Sequence, residues 1–257
     1  MIIAVNNNKG GTLKTTISVN IACSLAFGTN RVLIVDTDTQ GNVCTSFGIE
    51  ADSVVETIYD CMIGTENITN CIINYNRNID ILPANDSLIS IDFEVINNKD
   101  KYPDMFGLLK EVLEPVRNKY DYIIIDTPPS MNLIAGNVFT AADYILIPFE
   151  LDSYNVRSLS KTLKNINDFK TKNKNLEVLG LIATKVEKRV SLHNILLQQI
   201  KKYTHENDLY FFDTCIPKTV KYASSVAFDS VPIVLSNKKD DLKEIFFDLT
   251  KEMLERM

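Results

Sequence analysis

Lys9-Gly10-Gly11-Thr12-Leu13-Lys14-Thr15-Thr16 sets two lysines and three threonines around a glycine pair. Glycines let successive backbone N–H groups turn inward onto an anion. A lysine brings a mobile positive charge to outer phosphates, and a following threonine offers its hydroxyl to a hard metal ion. The spacing is that of a phosphate-binding loop, with Lys14 on the phosphates and Thr15 on the metal. The usual pattern has glycine where this chain has Asn8 and Leu13. It carries instead an extra lysine, Lys9, badly placed to fold back onto the phosphates that Lys14 serves. A glycine turn with two solvated lysines is the bland alternative for this stretch.

Two further stretches carry carboxylates. Val35-Asp36-Thr37-Asp38-Thr39-Gln40-Gly41-Asn42 puts Asp36 and Asp38 just beyond an apolar run. Asp36 could address the water shell of a metal and Asp38 could orient an attacking water, which is most of what phosphoryl transfer asks of a protein. Turn or helix-cap aspartates are the alternative reading. Tyr122-Ile123-Ile124-Ile125-Asp126-Thr127-Pro128-Pro129-Ser130 ends an apolar run on Asp126, placed to hold Mg²⁺ directly or through water. The proline pair stops the run and stiffens the turn that follows.

These residues need rigid elements behind them. Apolar runs at 2–5, 32–35, 79–82, 122–125, 144–147 and 178–183 read as strands, mostly continuous rather than alternating, so covered on both faces. Helical spacing recurs at 16–27, 105–119, 133–142, 156–172 and 192–203. This alternation predicts an α/β fold, a doubly wound, mainly parallel sheet flanked by helices, with ligands at the carboxyl ends of the strands. Residues 50–105 are less patterned, with helical pieces expected around 54–59 and 67–72 and an exposed loop over 97–104. Residues 240–257 place Leu242, Ile245, Phe246, Leu249 and Met253 on one helical face. Six acidic and three basic residues accompany them, so the helix is expected to pack on the core, not to lie on a membrane surface.

The chain has 257 residues, 45% hydrophobic and 23% charged, with a net charge of −6. That is the composition of a globular protein whose surface as a whole does not attract nucleic acid. Any DNA contact must be local, and residues 184–222 offer seven basic residues against four acidic. Five cysteines lie scattered without a Cys-x-x-Cys pair, and two histidines complete no zinc set. This usage fits a reducing cytosol. No apolar run approaches the about 18 residues of a membrane span, and with a strand and glycine loop read at the very start no signal peptide is expected.

In this order, the three motifs resemble those of the ParA/MinD superfamily, the deviant Walker A P-loop ATPases, and within it the ParA partition ATPases. Asn78–Asn85, Ala141-Ala142-Asp143 with Leu146-Ile147-Pro148, and Ile216-Pro217-Lys218 extend the resemblance over nearly the whole chain. Asn8 is ordinary in that family. Leu13, where glycine is usual, Thr39, where proline is usual, and Lys218, where arginine is usual, depart from it.

The resemblance implies one ATPase domain over residues 1–257, of the short type without a separate N-terminal DNA-binding domain. It implies ATP with Mg²⁺, held by Gly10, Gly11, Thr12, Leu13, Lys14, Thr15 and Thr16. Thr15, Asp36 and Asp126 stand on the metal side, and Thr184 and Pro217 near the base. Lys9 crosses to a partner subunit, so that two subunits sandwich two ATP molecules, and Asp38 serves hydrolysis. Lys188, Arg189, Lys218 and Lys221 are the expected contacts to non-specific DNA. Hydrolysis is expected to be slow and stimulated by a ParB-like centromere-binding adaptor, which releases the dimer from DNA. The expected place is the cytoplasm, on the nucleoid, with no membrane. The alternatives are a MinD-like membrane-cycling division ATPase, and a nucleotide switch with little turnover because of Leu13.

Overall fold

The computed structural model describes residues 1–257 apart from 131, 152–154, 188 and 239, and of 155–158 and 191 it describes the backbone alone. The strands are β1 (Ile2–Val5), β2 (Val32–Asp36), β3 (Ile73–Asn74), β4 (Ile79–Leu82), β5 (Tyr122–Asp126), β6 (Tyr144–Glu150) and β7 (Glu177–Thr184). The helices are α1 (Lys14–Ala26), α2 (Asn42–Ser46), α3 (Ile58–Ile63), α4 (Ile68–Cys71), α5 (Ile91–Asn97), α6 (Leu108–Leu113), α7 (Leu133–Ala141), α8 (Asn155–Phe169), α9 (Ser191–Glu206), α10 (Lys221–Ser224) and α11 (Asp241–Arg256).

One seven-stranded sheet runs β3-β4-β2-β5-β1-β6-β7, and every pairing is parallel except β3 with β4. Side chains alternate between two buried faces. Ile2, Leu33 and Ile123 join one core beneath α3, α5, α6 and α7, while Ile3, Ile34 and Ile124 join the other beneath α1 and α11. Both cores need apolar residues, which is why the strands read as unbroken apolar runs. β1, β2 and β5 run parallel, so the loops that follow them open at one edge of the sheet.

The expected strands are all present, and β6 continues three residues further, to Glu150. The expected helix over 105–119 is shorter: α6 ends at Leu113 and a 3₁₀ turn carries Glu114–Lys119, because Pro115 cannot continue an α-helical ladder. The piece expected at 54–59 starts later. Thr57 caps α3, accepting from Tyr59 N while Asp60 accepts from Thr57 N at 2.9 Å. The exposed loop expected over 97–104 is found only in part: Asn97 ends α5, residues 98–104 turn, and Tyr102 is buried and donates to Ile63 O. α11 buries Leu242, Phe246, Leu249 and Met253 against α1 and its core, as its pattern predicts. Among the described residues no helix is long and apolar enough to cross a membrane.

Candidate functional site

The loop between β1 and α1 is folded on itself. Lys9 N donates to Asn7 Oδ1 at 2.9 Å, and the Lys9 carbonyl accepts from Thr12 Oγ1 and from Lys14 Nζ, both at 3.3 Å. Gly11 (φ 73°) and Leu13 (φ 65°, ψ 27°) are both left-handed. Such turns aim consecutive N–H groups into one concavity. No side chain caps the first turn of α1, which leaves its N–H groups and the positive end of the helix dipole for a ligand. For Leu13 the left-handed backbone costs about 1–2 kcal/mol. Its half-buried side chain packs against the α1/α11 core, which offsets part of that strain.

Asp36 and Asp126 are register partners at the ends of β2 and β5, and both are fully buried. Asp126 accepts from Thr15 Oγ1 at 2.6 Å and from Ser18 Oγ at 2.8 Å. Asp36 accepts from the backbone N–H of Asp38 at 2.9 Å and of Val43 at 3.0 Å, so it also organises the turn that Gly41 (φ 61°) completes. A Cβ on Gly41 would lie 2.6 Å from that of Ala51. Burial, and then the neighbouring Asp126, push the Asp36 carboxyl well above the usual carboxylate range. Burial pushes Asp126 up to about 6, against the pull of the Thr15 and Ser18 hydroxyls and Lys14. Burial lowers the Lys14 ammonium, with Asp126 and Asp38 opposing. Two buried carboxylates short of positive charge, beside a threonine hydroxyl, form an oxygen-donor set that suits a hard divalent cation.

A cleft of about 1050 Å³ opens over Gly10–Thr16, with Asp38, Asn42 and Pro129 on one flank and Thr219, Tyr222 and Val226 on another. Thus the structure brings Gly10, Gly11, Thr12, Leu13, Lys14, Thr15, Thr16 and Asp38 to one cavity, with Asp36 and Asp126 behind it. Thr184 and Pro217 do not line it. Thr184 ends β7 fully buried, its hydroxyl without a partner among the described residues, and Pro217 bridges to Val186. Lys9 pairs with Glu150, its Nζ 3.2 Å from Oε2.

The basic stretch is less positive in space than in sequence. Lys218 pairs with Glu187 at 2.9 Å, Lys221 with Asp240 at 2.8 Å and Lys201 with Asp213 at 3.0 Å. Arg189 is exposed and makes no ion pair among the described residues. Lys188 lies outside the described residues. Ser18 and Glu150 were not singled out from the sequence. Ser18 lies three residues beyond Thr15, so helical spacing alone places both hydroxyls on the side facing Asp126.

A family model described as an AAA domain matches residues 1–178. A ParA family protein of Mycoplasma pneumoniae is 34% identical over 269 residues, covering 99% of this chain and 97% of its own. A chromosome partitioning protein ParA of Myxococcus xanthus is 31% identical, covering 99% and 88%. Among solved structures, a putative plasmid partition protein of Borrelia burgdorferi bound to AMPPNP matches with a TM-score of 0.81 and 26% identity, over 100% of this chain and 99% of that one.

Proposed function

The chain belongs to the ParA family of partitioning ATPases, and from that premise we propose that it binds ATP with Mg²⁺, closes into a dimer around two ATP molecules, and in that form holds DNA without reading its sequence. The observation that carries the nucleotide reading is the pairing of Thr15 and Ser18 with Asp126 at the foot of an uncapped, left-handed glycine loop. A plasmid partition protein of the same fold holds an ATP analogue.

In this reading residues 1–257 act as one ATPase unit. Lys14 leaves the Lys9 carbonyl for the outer phosphates, and the N–H groups of Gly10–Thr16 line the phosphate chain. Thr15 holds the metal side, with Asp126 directly behind it and Asp36 as the outer partner. The metal, when bound, neutralises charge developing on the phosphates. Asp38 orients a water whose oxygen bonds the γ-phosphorus as the bond to the β–γ bridging oxygen breaks, giving ADP and phosphate. Thr184 and Pro217 serve the base side, Pro217 through its carbonyl, which accepts from the hydroxyl of the cleft residue Tyr222. Lys9 reaches the nucleotide of the partner subunit, so ATP favours the dimer and hydrolysis dissolves it. A ParB-like adaptor accelerates that step on the nucleoid. Light scattering tests the reading: ATP with Mg²⁺ is expected to double the mass and ADP to leave it unchanged. A monomer in both would remove the sandwich.

DNA contact is assigned to Arg189 first, with Lys188, Lys218 and Lys221 as the further expected contacts. Lys218 and Lys221 already hold carboxylates, so Arg189 carries the larger share. Two copies per dimer make Arg189→Glu lower the salt slope of DNA binding by about 2. ATP affinity is expected to stay unchanged, and Lys218→Glu to have the smaller effect. Unchanged retention of Arg189→Glu on DNA at low salt would count against the patch.

Leu13 favours a second reading, a switch with little turnover, because a bulky residue there borders the cleft on a strained backbone. Leu13→Gly keeps the left-handed turn and removes that bulk. Phosphate release is expected to rise severalfold with the fold intact; an equal rate in both proteins would show that Leu13 is no brake. A membrane-cycling role has less support, since the charged face of α11 is mainly acidic.

A further inference from the structure

Lys9, Glu150 and Lys185 meet at the carboxyl ends of three adjacent strands. Lys9 follows β1, Glu150 ends β6, and Lys185 follows Thr184, the register partner of Glu150 on β7. The two oxygens of one carboxylate take one ammonium each, Lys9 Nζ at 3.2 Å on Oε2 and Lys185 Nζ at 3.3 Å on Oε1. All three side chains are 25–35% exposed, so the charges are only partly screened. Lys185 takes a left-handed backbone, φ 53°. Its ammonium sits 3.7 Å from where a Cβ on Gly11 would stand, so it flanks the glycine loop itself.

We propose that Glu150 and Lys185 are positioning residues for Lys9: Glu150 holds Lys9 back over its own loop in the monomer, and Lys185 keeps a cation on Glu150 when Lys9 leaves for the partner subunit. The inference rests on the reading of Lys9 as a cross-subunit contact. A partly buried carboxylate resists losing a cation, because the charge left behind has been taken partly out of water. With Lys185 on the other oxygen, that loss is shared. Lys185 also competes with Lys9 for the carboxylate, so it loosens the hold. The two residues therefore act in opposite directions on the same event, which a merely structural role for either would not produce.

The test compares Glu150→Gln, Lys185→Met, Lys185→Arg and the double variant Glu150→Gln/Lys185→Met in two measurements. The first is the reactivity of Lys9 towards acetic anhydride in the nucleotide-free monomer, read by mass spectrometry. Glu150→Gln should acetylate faster at Lys9 than the parent chain, Lys185→Met more slowly, and Lys185→Arg like the parent. The second is the dissociation constant of the ATP dimer. Partly exposed ion pairs shift an equilibrium by up to about fivefold each, and the dimer contains the exchange twice. Glu150→Gln is thus expected to tighten the dimer by about tenfold and Lys185→Met to weaken it by about tenfold. Because Lys185 acts only through the Glu150 carboxylate, the double variant should behave like Glu150→Gln alone, and a double variant that returned to the parent would show that Lys185 acts elsewhere. Shifts in the same direction, or parent-like Lys9 reactivity in both single variants, would overturn the assignment. The reading beneath it fails separately: a Lys9→Ala chain that dimerises normally with ATP would remove the cross-subunit contact, whatever the acetylation shows.

Discussion

Lys14→Ala is expected to bind ATP at least about a hundredfold more weakly than the parent chain. Lys14 is buried, its ammonium lies on the Lys9 carbonyl, and it lines the cleft over the glycine loop. Removing one member of a buried charge pair costs about 3–5 kcal/mol, because the other charge is left without compensation. Here the uncompensated charge would be that of the phosphates. Asp126 would suffer too, since Lys14 is among the groups that hold its carboxyl down. Titration calorimetry with ATP and Mg²⁺ reads the loss directly. Lys9→Ala supplies the contrast: its side chain points to Glu150, not into its own phosphate cradle, so ATP affinity should persist while the ATP dimer disappears. Near-parent ATP binding by Lys14→Ala would break the account at its base.

Asp38→Ala should bind ATP, form the dimer and remain there, with turnover lowered by about a hundredfold or more, as expected when a group that orients or deprotonates the attacking water is removed. Asp38 lines the cleft opposite the glycine loop, half-exposed, with Oδ1 accepting from Gln40 N at 3.1 Å. Neither Asp36 nor Asp126 is free to replace it. The first accepts two backbone N–H groups and the second two hydroxyls. Asp38→Asn serves as the control, because its amide oxygen can still accept from Gln40 and preserve the turn. Both substitutions should slow phosphate release, and only a defect shared by both belongs to the carboxylate. Parent-like turnover in Asp38→Ala would take Asp38 out of the chemistry.

The site was legible in the sequence wherever chemistry demands residues in close succession. Lys9–Thr16, Asp36–Asp38 and Asp126 each sit in a local stretch, and parallel strands covered on both faces announce themselves as apolar runs. Even the strain at Leu13 follows from a bulky residue where the loop turns left-handed. What depends on a distant neighbour was not legible. The pairing of Lys221 with Asp240 closes across 19 residues, and it removes charge that a count over 184–222 had credited to the surface. Ser18 acquires its role only because Asp126, 108 residues away, ends the neighbouring strand. Glu150 reads as an ordinary strand end until Lys9 and Lys185 arrive from either side. The late start of α3 is a local matter that propensity obscured: Thr57 and Asp60 form a capping box that outweighs the apolar spacing before it.

The central claim is that ATP, through the dimer, licenses DNA binding. Retention on DNA of unrelated sequences, measured with ATP and Mg²⁺, with ADP and Mg²⁺, and without nucleotide over a salt series, tests it most directly. Binding is expected with ATP alone, equal on every sequence and falling steeply as salt rises. Equal retention in all three nucleotide states, or none in any, would contradict it.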